Sequence, residues 1–482
     1  MHAATVCSKH NSIDIAAMGK KSRSKATNAR KPPPPPLDPL DAVHAAATTP
    51  AWLVATRDEA VAVQLLESLE RAVAKLPRTS PPMSGPTDAT RAALYAWAKE
   101  RGCACENVRL ESYCDGQTRV VAATRIEGVV LSVPAPLHLR ATDDASDVMG
   151  VAAFAERHNL DATLALALRL CAEAGADDSP WSHYVQCLPA TFDVPTFWAF
   201  EDVARLRGSE SFRRACMSRC AAARSFVVVT RSLGDDAAQA LALDYERWRW
   251  ALGAVQTRQN SLGGTLALVP LWDMCNHAVD AGSSQLTPDG ALELVAAGVE
   301  EEEEVRMDYG ARSAANFLLH SGFVPPPSIR EGGDTATVDV SLPETPLAPL
   351  LARFLDSRGV PRAPAPPRAP PRWRGALQRM VSTAGGAHAV PDAALNAVAL
   401  AAGADKDDAT YLLRCAPGAA LIPASAAHAD RATQALAAAT VAQASGYPAL
   451  PAPTTAHGRL ADALVSREKE MLRRGKCKGK TA

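Results

Sequence analysis

The chain has 482 residues, a net charge of −1 and eleven cysteines. That length suits about two or three domains with a large core, and the near-zero charge excludes a global basic field of the kind that binds nucleic acid. No apolar run reaches the roughly eighteen residues of a membrane span, and no N-terminal hydrophobic segment marks a secretory signal.

In chain order, residues 1–56 read as a disordered basic and proline-rich tail. The cluster MGKKSRSK starts at Met18 and reads as a solvated tail with a nuclear address as the alternative. Pro32–Pro36 is an extended spacer. Residues 57–86 predict an amphipathic helix, Arg57–Leu76, with Val61, Leu65, Leu69, Val73 and Leu76 recurring on one face, followed by a linker at Pro82–Pro86. Residues 87–145 predict a short helix, Ala92–Arg101, and strands at Val108–Tyr113, Arg119–Thr124 and Val129–Val133, with a turn at Asp115–Gly116.

Residues 146–250 are mostly helical, with apolar recurrence over Leu164–Ala174, Ser211–Val228 and Asp235–Val255. The aromatics Trp181, Tyr184, Phe192, Trp198, Trp248 and Trp250 read as packing. Residues 251–326 hold a buried strand at Leu266–Leu271, an Asn276–His277 turn, a strand over Val305–Tyr309 ending at Gly310, and a helix over Ala311–His320. The run Glu300–Glu304 reads as a solvated turn. Beyond it, residues 327–475 contain a proline-rich loop at Pro361–Pro371 and alanine-rich helices at Asp392–Ala402, Ala429–Ala444 and Arg459–Arg473, before a basic tail at 476–482. Cys103/Cys105 and Cys216/Cys220 are the close cysteine pairs. Neither has partners at zinc-site spacing, so reduced thiols and no metal are expected.

Four motifs stand in order: TRQN (Thr257–Asn260), LWDMCNH (Leu271–His277), MDYG (Met307–Gly310) and LLHSGF (Leu318–Phe323). Together with YGARS and WSHYVQCLPATFDVPTFW (Trp181–Trp198), they resemble the SET-domain protein methyltransferases, and within them the branch that methylates an actin histidine on its tele nitrogen. The resemblance runs from Arg91 to Phe323 and thins over the C-terminal third. It implies an α+β architecture: a knotted β-fold SET domain with an inserted helical subdomain, followed by an all-α substrate-binding domain. It also implies S-adenosylmethionine as cofactor and a protein substrate, actin, with no nucleic acid or membrane partner. A cytoplasmic monomer, with the nucleus as a further compartment, is the matching expectation.

Residue by residue, the resemblance gives the cofactor to Arg258, Asp273, Met274, Cys275, Asn276, His277, Ser321 and Phe323. Arg258 would pair with the methionine carboxylate, a contact suited to its planar fork. Asn276 and His277 would bind adenine, and Asp273–Cys275 would lend backbone. Tyr309 and Asn260 are the catalytic candidates; Trp272, Arg312, Met307, Val269 and Leu266 would line the substrate pocket. One turn departs from the pattern. Where the family has Glu-Gly-Phe-Gly close to the cofactor, this chain has Gln117, Thr118, Arg119 and Val120, and the family's cofactor-contacting arginine has no aligned match, although Arg91 lies close by.

The choice between histidine and lysine rests on Asn260 and Trp272. Imidazole, with a pKa of about 6.5, already has a free lone pair at neutral pH, whereas lysine at about 10.4 must first lose a proton. A histidine enzyme therefore needs a tautomer selector: a side-chain carbonyl that accepts the pros N–H and leaves the tele nitrogen bare. Asn260 can supply it, and Trp272 a flat wall. Lysine methylation of a non-histone protein and a catalytically silent scaffold are the alternatives; the altered turn keeps the second open.

Overall fold

A computed structural model describes residues 38–48, 52, 58–113, 116–141, 150–326, 334–363, 371–381, 387–416 and 419–474. The basic cluster, the proline spacer, most of Pro361–Pro371 and the terminal tail lie outside them.

The chain from Pro39 onward forms one unit. Helix α1 (Pro39–Thr48) corrects the tail expected to reach residue 56: Val43, Ala47 and Trp52 are buried, and the Cys220 thiol donates to the Ala47 carbonyl. Helix α2 (Glu59–Val73), capped by Asp58, buries Ala62, Leu66, Leu69 and Ala72. Leu69 and Leu76 of the predicted stripe are buried, whereas Val61, Leu65 and Val73 stay half-buried and their neighbours Ala62, Leu66 and Ala72 turn inward instead. Helix α3 (Asp88–Glu100) starts four residues earlier than predicted because Thr87 and Thr90 form a capping box.

Strands β1 (Val108–Ser112) and β2 (Thr118–Ala122) form a hairpin. Then come β3 (Ile126–Val133), β4 (Leu139–Arg140) and the helices α4 (Val151–Arg157), α5 (Ala162–Gly175), α6 (Ser182–Val185), α7 (Phe200–Ala204) and α8 (Glu210–Leu233). The six aromatics read as packing are all buried here; Trp250 donates to the Pro189 carbonyl and Trp248 to Ser225. The helix predicted over Asp235–Val255 is two, α9 (Asp235–Ala240) and α10 (Tyr245–Arg258). Ala242 takes a positive φ of 43° between them. Asp244 caps α10, and its other oxygen accepts from the Thr79 and Ser80 backbone, so a distant loop decides the break.

Strands β5 (Asn260–Leu262) and β6 (Thr265–Leu268) pair with β4 in a small antiparallel sheet. Strands β7 (Asn276–Leu286), β8 (Leu292–Val299) and β9 (Arg306–Met307) join β3 in the order β3-β8-β7-β9, in which only β7 and β9 run parallel. Helix α11 (Ala314–Ser321) follows, capped by Ser313.

The C-terminal region holds the expected helices, here α13 (Ala393–Ala402), α15 (Ala426–Ser445) and α16 (Ala456–Arg474), and also α12 (Ala348–Ser357) and α14 (Lys406–Arg414). It is not wholly helical, however. Strands β10 (Thr335–Ser341), β11 (Arg372–Val381) and β12 (Ala387–Pro391) make an antiparallel sheet, with Ala336, Val338 and Val340 alternating into the core. The all-α expectation rested on the resemblance, whereas Ala336, Val338 and Val340 alternate with polar neighbours in the sequence itself.

Helix α16 docks through a buried carboxyl. Glu468 accepts from the Ser209 hydroxyl at 3.0 Å and the Tyr447 hydroxyl at 2.7 Å. Burial pushes its pKa from 4.5 up to about 7. The folded protein therefore keeps this proton after the unfolded chain has lost it. The resulting stability is complete below pH 4.5 and lost as pH rises to about 7. Glu468→Gln should remove that loss: urea titrations from pH 4.5 to 7.5 should show wild type losing about 3 kcal/mol relative to the variant.

Candidate functional site

The site grows from the end of α10. Arg258 closes that helix, and Asn260 opens β5 two residues later, paired with Ala267 of β6. After β6, Leu271 takes a φ of 65° and is buried, which turns the chain into a single 3-10 turn, Trp272–Met274. A non-glycine residue in that region persists only where its surroundings hold it. Arg258 supplies one hold: its Nη1 donates to the Asp273 carbonyl at 2.6 Å and lies 3.6 Å from the Asp273 carboxylate. The Tyr184 hydroxyl donates to the other carboxylate oxygen. Burial raises the Asp273 pKa to about 6, with Arg258 and then Tyr184 opposing the rise. The Arg258–Asp273 pair thus ties the strand carrying Asn260 to the turn carrying Trp272.

Asn260 and Trp272 have separate partners. Asn260 Nδ2 donates to the Arg258 carbonyl at 3.0 Å, and no donor among the described residues reaches its Oδ1. The Trp272 indole N–H donates to Ser284 Oγ at 2.9 Å, which fixes the ring plane. Val269 and Met307 are buried, whereas Leu266 is half-buried on β6.

The second cluster forms where β7 and β9 run parallel, with His277 opposite Met307. Tyr309 then folds back over Asn276 and His277, which open β7 instead of forming the expected turn because they pair in parallel with Arg306 and Met307. Its backbone N–H donates to His277 Nδ1 at 3.2 Å, and its hydroxyl donates to the Cys275 carbonyl at 2.8 Å. Burial holds the phenol well above its ordinary pKa, so Tyr309 stays protonated and is no base. With that proton committed to Cys275, the oxygen's lone pairs remain for an incoming donor. The His277 ring stacks on Phe317 at 4.8 Å and lies 5.1 Å from Tyr309 and 5.9 Å from Phe323. Arg312 lies over Phe317 at 5.9 Å and is otherwise exposed. Ser321 ends α11, directly before Gly322. A small cavity of about 20 Å³ is lined by His277, Asp308, Arg312, Phe317 and Pro325, among others.

Met274 and Cys275 are buried, and the carbonyls of Asp273 and Cys275 are taken by Arg258 and Tyr309. Asn276 Nδ2 donates to Glu304 at 2.7 Å, and Arg306 grips the other Glu304 oxygen. The acidic run is therefore solvated only through Glu303; the Glu304 side chain is 8% exposed and sets the Asn276 amide. Glu304, Tyr184 and Ser284 are positioning residues that sequence reasoning missed. Tyr184 lay within a quoted motif, but nothing local marks a partner 89 residues away.

The residues present fit an adenosyl sulfonium with a carboxylate tail on one side. Arg258 Nε is buried without a partner, a donor free for a carboxylate, and the rings of His277, Phe317, Phe323 and Tyr309 form an apolar wall. On the other side the altered turn is bound to the protein. Arg91, buried in α3, donates to Thr118 Oγ1 at 3.2 Å and to the Gly116 carbonyl at 2.9 Å. Among the described residues, no cluster of metal-ligating side chains occurs, and no helix is long and apolar enough to cross a membrane.

No protein-family profile matches the chain. Over 249 residues it is 29% identical to the actin-histidine N-methyltransferase of Danio rerio and 30% identical to that of Callithrix jacchus. Each match covers 48% of this chain and 41% of the relative, so the chain spans under half the length of the curated relatives it matches. Its fold is similar to the SET domain of LSMT bound to lysine and AdoHcy: TM-score 0.62, 19% identity, 81% of this chain and 91% of that one. Rubisco LSMT bound to AdoMet gives a TM-score of 0.61 at 19% identity, over 80% and 90% of the two chains. The chain thus has the SET-domain fold, and over the matched residues it is similar to the actin-histidine N-methyltransferases.

Proposed function

We propose that this chain is an S-adenosylmethionine-dependent protein methyltransferase that modifies a histidine on its tele nitrogen, with actin as substrate and the cytoplasm as its compartment. The observation that carries the reading is the Asn260 amide. One N–H of its side-chain amide donates to the Arg258 carbonyl, and its carbonyl oxygen, which no donor among the described residues reaches, can accept from a substrate. An imidazole whose pros N–H is held by that oxygen has its lone pair on the tele nitrogen. Trp272, fixed by Ser284, would limit the ring's tilt.

When bound, S-adenosylmethionine would supply an electrophilic methyl group. Arg258, through its unpartnered Nε, would hold the carboxylate, and Asn276, His277 and Phe323 would meet the adenosine side. Neutral imidazole needs no strong base, and the site offers none: the Tyr309 phenol keeps its proton, and its oxygen can only accept. Catalysis on this reading is alignment at near-attack distance in a fixed polar frame.

Two alternatives have an observation each. The solved neighbours bound to lysine favour lysine methylation, and the turn locked by Arg91 favours a silent scaffold. The test is to incubate the full chain with methyl-labelled S-adenosylmethionine and actin, and to locate the label by mass spectrometry. A single methyl on a histidine is expected. Label on a lysine would replace the specificity, and no calorimetric heat with the cofactor would replace the activity by scaffolding.

A further inference from the structure

The last helix reaches the site from the far end of the chain. Helix α16 buries Ala461, Leu464, Val465, Met471 and Leu472, and from it Arg467 holds one short segment, Gly322–Pro325, directly, while His457 reaches it through Asp193. At the helix start, His457 Nε2 lies 3.0 Å from Asp193 Oδ1, and its ring stacks on Trp198 at 5.3 Å. Asp193 in turn presses on Gly322: a Cβ there would come within 3.0 Å of the Asp193 backbone, and the φ of 81° itself calls for glycine. Three turns on, Arg467 Nη2 donates to the Pro325 carbonyl at 2.6 Å and Nη1 to the buried Asp334 carboxylate at 3.0 Å. Between these two holds sits Phe323, 5.2 Å from Phe317, 5.9 Å from His277 and 6.4 Å from Tyr309.

We propose that Arg467 and His457 are positioning residues through which helix α16 sets Phe323 against His277 and Tyr309, so that the C-terminal helix shapes the cofactor side of the site. The proposal rests on the methyltransferase reading for its effect on the cofactor, but the clamp itself is independent of it. Charged hydrogen bonds to buried groups are the strong ones, and the Pro325 carbonyl has a guanidinium holding it from outside its own segment.

The test uses the full chain with Arg467→Met, Arg467→Lys and a control, Arg205→Met. Arg205 also anchors α16, through Asp462 and the Pro451 carbonyl, but has no contact with the clamped segment. Arg467→Met should weaken S-adenosylmethionine binding about tenfold, with the KM for the protein substrate unchanged and partial rescue in Arg467→Lys. Arg205→Met should leave the cofactor constant as it is. Without any ligand, amide exchange at 321–324 should rise in Arg467→Met and not in Arg205→Met. Equal weakening in both variants, or unchanged exchange at 321–324, overturns the proposal. Raised exchange in Arg467→Met, with a wild type that binds no cofactor, keeps the clamp and removes the methyltransferase reading instead.

Discussion

Asn260→Phe combined with Trp272→Ala is expected to move methylation from a histidine to a lysine at the same position of one peptide. The double change removes the acceptor that selects the tautomer and the wall that the ring would meet, while the Arg258–Asp273 pair beside them stays intact. A site that hydrogen-bonds its substrate loses much more than a purely apolar one when that bond goes, so kcat/KM on the histidine peptide should fall about a hundredfold. The lysine reaction carries its own signature. Deprotonating a free lysine at neutral pH costs roughly 4–5 kcal/mol, so the new activity should climb about tenfold per pH unit, whereas the wild-type histidine reaction should level off above pH of about 7. A competition assay with both peptides, read by mass spectrometry, measures the ratio. Histidine selectivity unchanged in the double variant would remove the tautomer argument.

Tyr309→Phe should lower turnover by about a hundredfold while changing cofactor affinity by less than about threefold. The phenol oxygen is the only part of the side chain the change deletes; the ring remains against His277 and Phe323, and the backbone N–H still reaches His277. Part of the cost is structural, because the Cys275 carbonyl loses its donor in a buried place, and stability should fall by about 1–2 kcal/mol. Single-turnover rates set against calorimetric affinity separate the two effects. Equal losses in both would make Tyr309 a binding residue.

Much of this site was legible in the motifs. TRQN, LWDMCNH, MDYG and LLHSGF named the residues that the fold brings into two linked clusters, and a short strand before a turn was readable from the apolar run ending at Leu271. What the motifs could not convey was how each side chain is spent. Asn276 faces Glu304, from a run that reads as solvent-exposed by composition, and Asp273 faces Tyr184, from an aromatic set that reads as packing. The same limit governed the elements. The break before Asp244 depends on Thr79 and Ser80, whereas the first strand of the C-terminal sheet was legible as alternation in the sequence itself.

By itself, the sequence determined the helices with strong local periodicity, the order of the motifs and the chemistry their residue types permit. Those properties depend on neighbours within a turn or two of the chain, where spacing and capping act. Only the tertiary structure decided that one Asn260 N–H goes to the Arg258 carbonyl while no donor among the described residues reaches its oxygen, that Arg91 locks the altered turn, and that Arg467 holds the segment bearing Phe323. Each is a hydrogen bond whose direction, and often whose partner, no local pattern encodes: a buried polar group must find a partner, and which one it finds is settled by what the fold brings within about 3 Å.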